Sequence, residues 1–180
     1  MVNGRSPRLA RICFVPFGEP KTVDLAGLAS YYQERFGIIV GILPPVRPGA
    51  SELNVIRRQL IGEELIALMR RSYPALDADP TVLLVGFTES DIYLRSMPNW
   101  NWAFAERTGG RFAVISTAHM DPFFYGEEPS PELLNTRTRK ITTKTIGLLY
   151  FGLPLSSNPK SVLYDSILGV DDLDAVGEDF

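Results

Sequence analysis

One cysteine and one histidine are all that the chain offers of two side chains that dominate transition-metal sites. Neither a multi-His nor a multi-Cys centre can be assembled within it. Cys13, alone inside the apolar run RICFVPF, excludes an intramolecular disulfide. It fits a reducing compartment, where a buried thiol behaves as a small hydrophobe. A basic excess is also lacking: 18 Lys and Arg stand against 21 Asp and Glu, a net charge of -3, which argues against phosphate-driven binding to nucleic acid. No stretch reaches the roughly 20 apolar residues of a membrane span, and the Arg-bearing start has no apolar run ending in a small-residue cleavage site. A cytoplasmic protein without nucleic-acid or membrane partners is expected. Gly-x-Ser-x-Gly and phosphate-cradling glycine loops are missing too, which removes serine hydrolase and nucleotide-loop chemistry from consideration.

What is present is an ordinary globular composition, 45% hydrophobic and 22% charged over 180 residues, enough for one α/β domain spanning 1–180 with flexible ends at 1–8 and 171–180. LARICFVPFG (9–18) reads as a buried opening strand. VDLAGLASYYQERFG follows as a helix capped by Thr22 and ended by Gly37, and IIVGILPPV as a second strand. The right-handed crossover then favours parallel pairing. Residues 48–74 carry Leu53, Ile56, Leu60, Leu65 and Leu68 at helical spacing after Ser51, which predicts the longest helix. TVLLVGFTESDIY (81–93) is a third core strand. Residues 101–120 read as two strands joined through Thr108-Gly109-Gly110. Ser130-Pro131 opens a helix that runs to about Gly152.

Three local strings in this order resemble the archaemetzincin family of zinc metallopeptidases. IRRQLIGEELIALM (56–69) is similar to its Arg-x-Gln helix, LLVGFTESDIY (83–93) to its strand with a Thr-x-x-Asp-(Leu/Ile)-Tyr turn, and WAFAERTGGRFAVIST (102–117) to the strand pair that follows. The resemblance implies a metzincin-like three-layer α/β domain. Its sheet is twisted and mostly parallel with one antiparallel edge strand, followed by a glycine-bent active-site helix and a short C-terminal subdomain. The family then carries His-Glu-x-x-His-x-x-Gly-x-x-His-Cys and a Cys-Val-Met. Laid on Gly152-Leu153, that motif puts Thr145 at the first His, Ile146 at the Glu, Leu149 at the second His, Leu155 at the third His and Ser156 at the Cys. Ser161 then falls at the second Cys and Leu163 at the Met. A one-residue slip, favoured by Arg137 and Lys140 upstream, puts Lys144, Thr145, Leu148 and Pro154 on the ligand and base positions instead. In either register no zinc ligand and no general base is present.

The resemblance without its ligands predicts a retained fold that is not an enzyme, needs no cofactor and binds a peptide or protein segment. The matching groove strand is RFAVIST, with Phe112, Ala113, Val114, Ile115 and Ser116 expected to receive an extended peptide by strand addition. A second reading is an enzyme with non-metal chemistry in the old cleft, using His119, with Asp121 nearby, or the carboxylates Glu89, Asp91 and Glu106. A third is a cleft filled by its own Leu149 and Leu155. Trp100, Trp102, Phe123, Phe124 and Tyr125 make an aromatic stretch that suits either a recognition rim or the core.

Overall fold

The computed structural model describes residues 11–180; the expected flexible segment 1–8 lies outside them. β1 (Arg11–Pro16), α1 (Leu25–Phe36) and β2 (Ile39–Ile42) form the first crossover, with β1 and β2 parallel. α1 is capped by Asp24, whose side chain accepts from the Gly27 N–H, rather than by Thr22. It ends at Gly37 with φ 63°, a left-handed turn that glycine adopts without strain. β5 (Val82–Thr88) pairs parallel with β1, β8 (Phe112–Ser116) parallel with β5, and β7 (Ala105–Thr108) antiparallel with β8 through the expected Gly109-Gly110 turn. The sheet order is β2-β1-β5-β8-β7. It is the mixed α/β, mostly parallel sheet expected of the sequence.

Strands buried on both faces need no alternation of apolar and polar residues. Ile12, Phe14, Leu83, Val85 and Ile115 pack under α1 and α4 (Pro131–Leu149), while Cys13, Val15, Val82, Leu84 and Val114 pack on the other face under α2 (Gly62–Ser72). Three layers result. α4 starts at Ser130, whose hydroxyl accepts from the Leu133 N–H.

Two expectations fail. Residues 48–61 are not helical: β3 (Leu53–Asn54) and β4 (Gln59–Ile61) form an antiparallel hairpin, with β4 parallel to β6 (Ile92–Tyr93), and only then does α2 begin, followed by α3 (Pro74–Ala78). Local polar bonds outcompete the helical stripe. The Asn54 side chain accepts from the Arg57 N–H, Arg58 adopts φ 56°, and Ile56 is left 96% exposed. Nor is the acidic tail free. α5 (Val170–Ala175) docks on α4, with Leu173 and Val176 in the core. Arg137 holds Asp174 through two hydrogen bonds of 2.8 and 2.6 Å, and Lys140 donates to the carbonyls of Leu173 and Asp174. Beyond it Arg35 pairs with Asp179 and Arg139 with Glu178. A tail rich in carboxylates is ordered here because α1 and α4 present cations to it. No helix of the described residues is long and apolar enough to cross a membrane.

Candidate functional site

Between β7 and α4 lies an open cleft. Its floor is Ile141, Lys144 and Leu148 of α4, spaced three and four residues apart on one helical face. One wall is Trp100, Ala103, Phe104, Ala105 and Arg107; the other is Leu155, Asp165 and Ile167, and the space between is about 210 Å³. A second cavity of about 280 Å³, lined by Trp102, Leu168 and again Trp100, Phe104 and Ile167, extends the groove along the chain that leads into β7. The cleft is therefore not self-filled. Leu155 stands in its wall, 55% exposed, and Leu149 packs partly buried against the core.

One face of α4 looks into the cleft. Thr145 is fully buried one step round from the cleft, and Ile146 is fully buried in the core under the sheet. Lys144 and Leu148, not Thr145 and Leu149, occupy the two helical places that look into the cleft. Gly152 turns the chain with φ 66°, and Leu155 returns to the cleft wall. The helix end is wide: the Phe151 N–H reaches back five residues to the Ile146 carbonyl, and the Leu153 N–H six to Gly147.

These side chains do not fit a zinc ion. An ammonium repels a cation, leucine has no lone pair, and the Thr145 hydroxyl donates to the Ile141 carbonyl while accepting 2.9 Å from Arg107 Nε. Ser156 and Ser161 act in turns, their hydroxyls accepting from the N–H groups of Asn158 and Leu163. Leu163 is buried against Gly147, where an added Cβ would meet its Cδ2 at 2.9 Å.

Electrostatically the cleft is cationic. Burial, reinforced by Arg107 and opposed by Asp165, pushes Lys144 down to about 8. Burial also lowers Arg107, to about 10, with Glu106 opposing. Both remain charged at neutral pH. Lys144 Nζ donates to the Tyr164 carbonyl, and Arg107 bonds only Thr145 among the described residues. In the sequence Arg107 is one charge in a strand, and the alternation of β7 places it on one face with Ala105.

The expected groove strand is misplaced by one. Phe112 to Ser116 are buried and paired on both sides, with β5 and with β7, so no further strand can join them. The open edge belongs to β7. Of the other candidates only Asp91 and His119 meet. Burial pushes the Glu89 carboxyl up, but hydrogen bonds from Thr22, Lys21 and Val23 outweigh it, and the net shift is down. It fastens the loop before α1. Glu106 lies on the α2 side, its pKa raised by burial and then by Glu63. Asp91 accepts from Gln59 and stands 3.1 Å from His119 Nε2, close enough for an ion pair when the imidazole is protonated but misaligned for a hydrogen bond. Asp121, the expected partner of His119, instead caps the turn at Phe123.

His119 bonds the Tyr125 hydroxyl at 2.7 Å and stacks on Trp102 with ring centroids 4.0 Å apart, so it braces the groove wall from behind. Trp102 is half-buried between that ring and the groove, and Phe123, Phe124 and Tyr125 are exposed beside it. His119→Ala should cost about 2 kcal/mol through the lost stack and hydrogen bond, read as a lower urea midpoint.

No family model matches the chain. An archaemetzincin of Pyrococcus furiosus is 32% identical over 172 residues, spanning 89% of this chain and 84% of that protein. The chain belongs to the archaemetzincin family. An archaemetzincin of Methanocaldococcus jannaschii is 31% identical over 166 residues, covering 91% and 86% of the two chains. The crystal structure of the Archaeoglobus fulgidus archaemetzincin, complexed with malonate, superposes with a TM-score of 0.68 at 25% identity, covering 94% of each chain. Membership corrects one expectation. The missing ligands predict a chain that is not an enzyme, whereas its relatives are archaemetzincins, a family of zinc peptidases, and membership points to an enzyme.

Proposed function

We propose that this archaemetzincin-family protein takes an extended peptide segment into the cleft between β7 and α4. The observation that supports it is the free edge of β7. Ser116 donates to the Phe104 carbonyl, so by antiparallel alternation Ala105 and Arg107 turn their main-chain groups away from β8. Outside the β7–β8 ladder, neither residue's main chain bonds another main-chain group among the described residues. An added strand satisfies those groups, while the apolar wall of Trp100, Phe104, Leu148 and Ile167 receives alternate side chains. Such binding holds whether or not the segment is then turned over.

An acetylated apolar hexapeptide titrated into the labelled protein should shift the amide resonances of Ala105 and Arg107 and the Trp100 indole. Ala105→Pro, which removes an outward N–H on an edge where proline is tolerated, should weaken binding at least about tenfold. Shifts elsewhere only, or an unchanged affinity in the proline variant, would rule out strand addition to β7.

A further inference from the structure

We infer that Arg107 and Lys144 together form a carboxylate pocket in the cleft, and that it takes the C-terminal carboxylate of the bound peptide. The inference rests on the peptide reading above and adds the chemistry of the segment's end. Arg107 and Lys144 line one cavity, and neither has a carboxylate within ion-pair distance among the described residues. Arg35, Arg137 and Arg139 all hold acidic partners on the tail, and Arg71 holds the buried Glu52.

Arg107 spends its Nε on Thr145, which fixes the guanidinium and leaves its two terminal nitrogens without a bond to the described residues. Lys144 spends one proton on the Tyr164 carbonyl and keeps two. Two partly desolvated cations line one cavity; burial first and the neighbouring Arg107 second lower the Lys144 pKa, and an anion that enters relieves both the repulsion and the unmet donors. Asp165 lines the same cavity and moderates the field without pairing. The planar Arg fork suits a carboxylate, and about 210 Å³ suits the last residue of a peptide rather than a folded partner. The apolar cavity of Trp100 to Phe104 then receives the preceding residues, so the segment runs parallel to β7.

The test compares acetyl-Leu-Ala-Leu-Ala as free acid, the same peptide as its C-terminal amide, and an amidated version with an internal Glu. Affinity is read by titration calorimetry and position by the Ala105 and Arg107 amides. The free acid should bind at least about tenfold tighter than the amide. Lys144→Gln should bring acid and amide to within about twofold of each other. In the wild type the preference should fade as pH rises from about 7 to about 9.5 and the ammonium discharges; the charged groups facing Lys144 are Arg107, itself lowered only to about 10, and Asp165. Acid and amide bound equally along β7 would overturn the carboxylate pocket and leave the peptide groove standing. An internal Glu that matches the free acid would overturn the terminal assignment. Failure of all three to bind would overturn both.

Discussion

Ile146→Glu is expected to cost about 4 kcal/mol or more at pH 7, because it puts an unpaired carboxylate among fully apolar neighbours under the sheet. Position 146 is where one motif register places the family's general base, so the substitution asks whether that position looks into the cleft. The pH dependence gives a second reading of the same question. A buried carboxyl has its folded-state pKa raised above its unfolded value of about 4.3. The variant is therefore least impaired when the group is protonated in both states, and it loses stability as pH rises above the unfolded value. Urea unfolding at pH 4.5 and pH 7 should show the larger loss at pH 7. Thr145→Glu provides the contrast: Arg107 Nε lies 2.9 Å from the Thr145 hydroxyl and can pair with the new carboxylate. It should cost at least about 2 kcal/mol less. If Ile146→Glu is the better tolerated of the two, the face of α4 assigned to the cleft is wrong.

Zinc affinity installed by histidine tests the same geometry from the other side. Lys144→His, Leu148→His and Leu155→His together place imidazoles on the helix face and the return strand that share the cleft, the i, i+4 arrangement that grips zinc. The set Thr145→His, Leu149→His and Leu155→His directs one side chain into a fully buried site and another against the core. Competition with a chromophoric chelator should show the first set binding one zinc per chain roughly 100-fold more tightly, since three ligands then converge where the second set supplies one. Equal or reversed affinities would show that Lys144 and Leu148 do not look into the cleft as described. The first set also removes a cleft cation, so its zinc affinity and the carboxylate preference of the parent chain are separate measurements on the same space.

Much of the frame is legible because it depends on local rules. The apolar runs of β1, β5 and β8 announce strands buried on both faces, Ser130-Pro131 announces the start of α4, and Gly109-Gly110 announces the turn before β8. The failures share a cause. The stripe Leu53, Ile56, Leu60 has helical spacing, but Asn54 and Arg58 settle the backbone locally, and β4 gains a partner in β6 more than thirty residues away. Phe112 to Ser116 look like an edge from their neighbourhood in the sequence. Which strand of a hairpin faces outward depends on which one β5 pairs with, a long-range fact.

The sequence by itself determined the fold class, the family likeness and the scarcity of histidine and cysteine, one of each, since patterning, motif order and residue identity are all properties of the string. Tertiary structure alone decided which face of α4 looks into the cleft, because that depends on what packs against the helix rather than on letters. It also decided the character of the cleft. Arg107 and Lys144 lie 37 positions apart in the sequence and meet only when β7 and α4 flank one cavity. Their charge counts as a site, not as two solvated surface residues, because packing has stripped part of their water and left neither with a carboxylate within ion-pair distance among the described residues.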